Sequence, residues 1–308
     1  MVEQYQALRE GAGWMDLSAR GRIEATGADR ARLLHNLTTN HVRQLEPGQG
    51  CYAFLLTPQG RIQADLHLLA LEDRFLLDTE PETRERVLHL IRRYIIADDV
   101  TLEDVSGGTC EIAVEGPEAA AVLAAIGAPV PAAPWNHAAW NGAHVAACSA
   151  TGQPGFRILA PNGLGPELIG ALESAGAAAV SEDIARLVRV ENGVPRYGDD
   201  IFDHTLPQET RQMHAVHFNK GCYLGQEIVE RIRARGHVNR ALAKVRIEGV
   251  EPPARGAKLE AEGAEAGEIT TAVFSPAECG VIALAYLRAQ HARPGAVLSL
   301  AGRRAVVA

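Results

Sequence analysis

Apolar residues recur along this chain with two periods, and the changes between them mark its elements. Gly21 to Thr26 alternates as a half-buried strand does, and Arg30 to Leu37 then carries Ala31, Leu34, His35 and Leu37 near helical spacing. Cys51 to Leu56 and Ile62 to Leu71 are strand runs separated by Thr57-Pro58-Gln59-Gly60, whose Pro and Gly predict a hairpin turn. Thr79 with Glu82 three residues on has the form of a capping box, and Val87, Leu88, Ile91, Tyr94 and Ile95 follow on one helical face. Strands are predicted at Thr101 to Val105, Glu111 to Val114, His144 to Ala147 and Phe156 to Leu159, and helices at Glu118 to Ile126, Glu167 to Ser174 and Glu182 to Glu191. In the last helix Ser181 is the candidate N-cap, Ile184, Leu187 and Val188 the buried stripe, and Gly193 the left-handed stop. Pro-rich Ala128 to Pro134 reads as a surface connection.

From Arg240 onward the texture changes to short Gly- or Pro-bounded strands: Leu242 to Ile247, Lys258 to Glu260, Glu268 to Phe274, Gly280 to Tyr286, Val297 to Leu300 and Arg304 to Val307. Such spacing predicts a small β-barrel over residues 240–308, after a mixed α and β region at 1–239. Length agrees, since 308 residues exceed the size at which one hydrophobic core divides, about 250 to 300.

Composition narrows the class. Hydrophobic residues make up 47% and charged residues 22%, the balance of a globular chain rather than a disordered one. A net charge of −8 argues against a protein built to coat nucleic acid. There is neither a basic-then-apolar leader nor a run of about 18 apolar residues, so the expected location is the cytosol, with no membrane partner. Cys51, Cys110, Cys148, Cys222 and Cys279 are odd in number and widely spaced, which speaks against a disulfide framework, and no Cys-x-x-Cys pair points to a permanent metal. His204, His214, His217 and His237 match no metal-site spacing. Phosphate-loop, zinc-protease, nucleophile-elbow and dinucleotide fingerprints are all missing, and Gly163-Leu164-Gly165 lacks the third glycine of the last.

The most informative stretch is Asn219 to Arg240. Cys222 lies between Gly221 and Gly225, beside Lys220, on a turn leading into a helix that starts near Gln226. A neighbouring cation and a helix N-terminus favour a thiolate, so Cys222 is a candidate reactive thiol and Lys220 its candidate ionising partner; a small buried filler is the alternative. From Lys220 to Arg246 seven cations face two carboxylates, a local excess of +5 that could receive an anionic partner or simply form a solvated face.

Lys220-Gly221-Cys222-Tyr223-Leu224-Gly225-Gln226-Glu227, with Arg231, Gly236 and Arg240 downstream, resembles the YgfZ folate-binding proteins, relatives of the glycine-cleavage T-protein (aminomethyltransferase) that include iron–sulfur assembly factors. Leu37-Thr38-Thr39-Asn40, Thr57 to Ile62, and Arg189 to Pro195 with Tyr197-Gly198 resemble further stretches of the same family. The resemblance implies an α+β, T-protein-like fold with two intertwined lobes and a C-terminal β-barrel around a central funnel. The implied ligand is tetrahydrofolate or a derivative, without a permanent metal. A carboxylate can grip the amide-like edge of a pterin while apolar walls take its face and a basic rim its glutamate tail. Asp65 and Arg189 match the family's folate site, Arg61 and Tyr197 are further candidates for its lining, and Gln226 and Glu227 would hold the Cys222 loop against its helix.

Three departures separate this chain from the usual aminomethyltransferase pattern: Ala64-Asp65 stands for two adjacent acids, His41 for an acid after Asn40, and Gly155-Phe156-Arg157 for a Gly-aromatic-Glu. The resemblance therefore implies, first, a tetrahydrofolate-binding accessory protein for assembly or repair of iron–sulfur clusters, with iron–sulfur client enzymes or assembly proteins as partners. A folate-dependent aminomethyltransferase with Asp65 as orienting carboxylate is the alternative. A tRNA-modification-associated protein, motivated by the +5 segment, is a third, although direct nucleic-acid binding is not expected. Trp135 and Trp140 carry no assigned role.

Overall fold

The computed structural model describes residues 2–236 and 238–308. In chain order its principal elements are α1 (Val2–Glu10), β1 (Gly13–Asp16), β2 (Gly21–Thr26), α2 (Arg30–Leu37), β3 (Gly50–Leu56), β4 (Ile62–Ala70), β5 (Phe75–Thr79), α3 (Arg84–Arg92), β6 (Thr101–Asp104), β7 (Thr109–Glu115) and α4 (Ala119–Ala125). Then come β8 (His137–Trp140), β9 (Ala143–Ala146), β10 (Gly155–Pro161), α5 (Gly165–Ser174), β11 (Ala178–Ala179), α6 (Glu182–Glu191) and α7 (Gln226–Arg235). The C-terminal strands are β12 (Arg240–Ile247), β13 (Lys258–Ala261), β14 (Ala264–Ser275), β15 (Gly280–Arg288), β16 (Val297–Leu300) and β17 (Arg303–Val307).

The strands form three bodies. One sheet has the order β3-β4-β5-β2-β6 and another β11-β1-β7-β10-β9-β8, while β12-β15-β14-β13-β16-β17 closes as a barrel. The chain begins in the second sheet with β1, leaves it to build the whole of the first, and returns with β7, so the two lobes interlace as the resemblance implied. Closure leaves the barrel with no unpaired edge strand.

Strand β4 shows how sequence becomes position. Ala64, Leu66, Leu68 and Ala70 enter the core of the first lobe with α2 and α3, which sends Asp65 and His67 to the opposite face. Leu69 on that face meets Leu76, Ala146 and Leu159, a small apolar seam joining the two sheets. The barrel is fastened to α6, where Val190 packs on Leu242, Ile282, Leu284 and Tyr286.

Two local expectations need correcting. Thr79 is the last residue of β5, and its hydroxyl bonds the Asp65 carbonyl (2.8 Å) and Thr83 Oγ1 (2.7 Å); a 3₁₀ turn at Pro81–Thr83 intervenes before α3, so there is no capping box at Thr79. Ser181 does precede α6, but its side chain makes no capping bond, and its backbone N–H donates to the Gln4 side chain (3.2 Å).

Candidate functional site

A cavity of about 730 Å³ opens between the two sheets, bordered by β1, the inner faces of β3, β4 and β10, and α6. That volume lies within the usual range for a ligand site, about 300 to 1,000 Å³. One wall is a graded stack of rings. Trp135 and His214 lie parallel (centroids 5.5 Å, 20° between planes), His214 stacks on Tyr52 (5.4 Å, 29°), and Tyr52 tilts over His67 (5.0 Å, 44°). The Pro-rich connection read as a surface link supplies Pro131, Ala132 and Pro134 to the lining.

Asp65 sits at the edge of this wall. Tyr52 Oη donates to its Oδ2 (2.9 Å), whereas its Oδ1 is buried without a partner. Burial, and then the charge of Glu80, push the Asp65 carboxyl up to about 6. Burial, and then the charges of Arg157 and Arg20, hold the His67 imidazole well below its ordinary range, so it faces the cavity neutral.

A buried ionic network runs from the lining, where Arg20, Glu80 and Arg157 border the cavity, to Arg22, Asp78 and Glu111 behind it, and its members are far apart in sequence. Arg20 Nε donates to Asp78 Oδ1 (2.7 Å) and its Nη1 to Glu80. Arg157 Nη1 donates to Asp78 and to Glu111 Oε1 (3.2 Å), and Arg22 Nη1 lies 3.7 Å from Glu111 Oε2. Three guanidinium groups thus meet three carboxylates across the two sheets. Glu111 is nevertheless pushed up to about 7, by burial first and by Asp78 second. Glu115 anchors the neighbouring loop, accepting from Ser149 Oγ (2.7 Å), the Ala150 N–H (2.5 Å), the Thr151 N–H (3.0 Å) and the Thr151 hydroxyl.

Of the residues singled out by sequence, Asp65 and Arg189 border the cavity; Arg61, Tyr197, Lys220, Cys222, Gln226 and Glu227 do not. Arg189 is occupied elsewhere: Nη1 donates to the Val194 carbonyl (2.7 Å) and Asp200 (2.5 Å), and Nη2 to Asp199 (3.1 Å). Because Asp200 also accepts from Thr270 (2.5 Å) and Thr271 (2.7 Å), Arg189 ties α6 to the barrel. Arg61 is exposed and donates to the His204 carbonyl, while Tyr197 is buried with its hydroxyl accepting from Arg86 (2.6 Å).

Cys222 is exposed. Lys220 is buried, and its ammonium donates to the carbonyls of His35 and Thr38 (2.5 Å for the latter) and lies 4.8 Å from the Tyr223 ring centre. Among the described residues no hydrogen bond joins it to Cys222. With the Leu224 N–H donating to the Asn36 carbonyl (3.0 Å), Lys220 fastens the loop to the C-terminal end of α2 on either side of the thiol. Burial pushes the Lys220 ammonium down to about 7. Gln226 opens α7, and Glu227 pairs with Arg231 (2.5 Å) at the helix surface. Gly225 has φ +83° and sits so close to the hairpin turn that a Cβ there would lie 2.5 Å from the Thr57 carbonyl oxygen. The Thr57 to Gly60 turn and the Cys222 loop are therefore one interlocked unit.

The +5 segment is partly offset by acids from other elements, since Arg240 pairs with Glu209 (3.1 Å) and Arg246 with Glu278, while Arg233 pairs with Glu230 (3.3 Å) inside α7 itself. The two outside acids leave the segment an excess of 5 − 2 = +3. His237 lies outside the described residues. Among the described residues no helix is long and apolar enough to cross a membrane.

Comparison with known proteins agrees with this architecture. Residues 1–220 match the GCVT N-terminal domain, and residues 240–306 the glycine cleavage T-protein C-terminal barrel domain. An aminomethyltransferase of Rippkaea orientalis is 28% identical over 313 residues, covering 97% of this chain and 85% of the relative. One from Rubrobacter xylanophilus is 30% identical, covering 92% and 78%, and a putative chloroplastic transferase of Arabidopsis thaliana is 27% identical, covering 95% and 69%. The crystal structure of glycine cleavage system aminomethyltransferase T from Bartonella henselae shares the fold, with a TM-score of 0.90 over 99% of this chain and 87% of that one at 24% identity. Both halves of the chain, the interlaced lobes and the closed barrel, belong to the glycine-cleavage T-protein family.

Proposed function

We propose that the central cavity binds a reduced folate, tetrahydrofolate or a derivative, with Asp65 gripping the pterin edge and Trp135, His214 and Tyr52 walling its face. The observation that carries this reading is the buried, unpartnered Oδ1 of Asp65 beside a stacked aromatic wall. A carboxylate oxygen left dry and unpaired is costly unless a donor arrives to meet it, and a pterin brings such donors. Arg186, exposed at the border of the cavity, is the candidate for an anionic tail, whereas Arg196 is held by Glu80 (2.8 Å) and Glu82 (3.0 Å). Titration calorimetry with tetrahydrofolate tests the reading: saturable binding by the parent protein, lost in Asp65→Asn, is the expected result.

The use of that folate favoured by the relatives is one-carbon transfer of the aminomethyl kind, with Asp65 as the orienting carboxylate. One departure from the aminomethyltransferase pattern loses its force in three dimensions. Ala64 points into the apolar core of the first lobe, so the acid missing there subtracts nothing from the cavity, and Glu80 supplies a second carboxylate near Asp65. A second stands, because Arg157 puts a guanidinium where the pattern has a carboxylate. Formation of methylene-tetrahydrofolate from a lipoylated carrier checks this use.

A second reading keeps the folate and makes the chain an accessory protein for iron–sulfur cluster assembly or repair, with Cys222 as the working thiol. The observation favouring it is the exposure of Cys222 on a loop fastened at Lys220 and Leu224. Thiolates are natural ligands for labile iron. Failure of Cys222→Ser to restore cluster-dependent enzymes in a deletion strain supports it, and full recovery removes it.

A further inference from the structure

Three residues lining the cavity each carry a polar atom that is buried and has no hydrogen-bond partner: Asp65 Oδ1, His67 Nδ1 and Arg157 Nε. They come from both sheets. Asp65 and His67 leave β4 on the same face, two residues and therefore about 7 Å apart along the strand, whereas Arg157 comes from β10. His67 lies directly opposite Asp78 in the β4–β5 ladder, and Arg157 Nη1 donates to Asp78 and to Glu111 Oε1 (3.2 Å). The Arg157 guanidinium is thereby held one row along the inner face from Asp65, where its charge acts on the His67 imidazole.

Arg157 differs in this from the two other guanidinium groups of the ionic network. Arg20 Nε donates to Asp78 Oδ1 (2.7 Å) and Arg22 Nε to Thr109 Oγ1 (2.7 Å), whereas Arg157 Nε–H meets no acceptor among the described residues. Arg157 is 3% exposed, so Asp78 and Glu111 hold its charge while one N–H is left dry. Such a donor is costly unless an acceptor arrives, and Asp65 Oδ1 makes the opposite demand. An occupant that meets both carries a donor and an acceptor on the edge it turns to the floor of the cavity. Because two carboxylates already face the guanidinium, a neutral carbonyl oxygen suffices as that acceptor.

We propose that Arg157 Nε–H donates to a ring carbonyl of the occupant, so that the cavity selects a 4-oxo pterin edge over a 4-amino one. The inference rests on the folate reading above and adds which edge of the ring is read. In a reduced pterin the ring N3–H is a donor and the adjacent C4 oxygen an acceptor, the two kinds of atom that Asp65 and Arg157 lack. A 4-amino ring still offers N–H groups to Asp65, but it turns a donor toward Arg157 and leaves the Nε–H unmet. An ionised glutamate, the residue of the aminomethyltransferase pattern at this position, can only accept, so the change to Arg157 inverts what is recognised there.

The test is titration calorimetry of the full-length protein with tetrahydrofolate and with tetrahydroaminopterin, its 4-amino counterpart with the same tail. Both are run at about pH 8, where Asp65, pushed up to about 6, is ionised. The parent is expected to favour the 4-oxo compound by about tenfold or more. Arg157→Lys keeps a cation for Asp78 and Glu111 but places a methylene where the Nε–H stood, so it is expected to lose most of that preference while retaining a cooperative melting transition. Equal affinities in the parent, a preference for the 4-amino compound, or a preference unchanged in a folded Arg157→Lys overturns the inference and leaves the folate reading standing. If the variant does not fold, the parent comparison decides alone. Binding of neither compound overturns the folate reading, and this inference with it.

Discussion

Tyr52 Oη binds one oxygen of Asp65 at 2.9 Å and leaves the other buried and unmet. The asymmetry fixes the carboxylate in place while keeping one acceptor for a ligand. Asp65→Asn is expected to weaken tetrahydrofolate binding by about tenfold or more, since a hydrogen bond to a charged group contributes roughly 1.5–3 kcal/mol. Thermal stability should be retained or rise, because an under-solvated charge is removed. Affinity in the parent should increase as the pH rises through about 6, where Asp65 ionises. Calorimetry across that range reads both effects.

Glu111 gives the fold its own pH dependence. Its carboxyl is held at about 7, above the ordinary 4.5. An acid raised in this way stabilises the folded state fully below about 4.5 and loses that contribution as the pH climbs through about 7. Asp65 acts in the same direction between 3.8 and about 6. Melting curves should therefore show a falling Tm contribution over this window, and Glu111→Gln should flatten the slope while lowering Tm overall.

Arg157 joins Asp78 of the first sheet to Glu111 of the second. Removing one partner from a buried network costs about 3–5 kcal/mol. Arg157→Gln is expected to fall in that range by denaturant unfolding. Arg157→Glu, which restores the carboxylate of the aminomethyltransferase pattern, should be worse than Gln, because it would place a fourth acid among Asp78, Glu80 and Glu111.

Gly225 tests the interlock between hairpin and loop. Alanine there meets both a left-handed backbone and the Thr57 carbonyl, so the cost should exceed the roughly 1 kcal/mol that measures backbone freedom alone. Gly221→Ala, with φ +91° but nothing within 4 Å of its Cβ, isolates the conformational part. A larger loss of stability at Gly225 than at Gly221 is the expected outcome.

Much of the fold was legible because it is marked locally: the Pro-Gly turn sets off the β3–β4 hairpin, a helical stripe marks α6, and Gly and Pro bound the apolar runs of the barrel strands. Phe75–Thr79 was not, since every residue of that strand is buried and no alternation survives. The two-residue β11 is too short to carry a period at all. The site divides in the same way. Asp65 could be picked out by its neighbours in sequence, whereas the partners of Arg20 and Arg157 lie 58 and 79 residues away at Asp78. Trp135 and His214 likewise meet only through the folded chain. Residues joined by topology rather than spacing leave no mark that a linear reading can find.

Of the three tryptophans, Trp135 alone borders the cavity, face to face with an imidazole. Any occupant that slides against that ring changes its surroundings directly, so the protein carries a built-in optical reporter. Intrinsic emission can therefore follow filling and emptying of the chamber in real time, without a label.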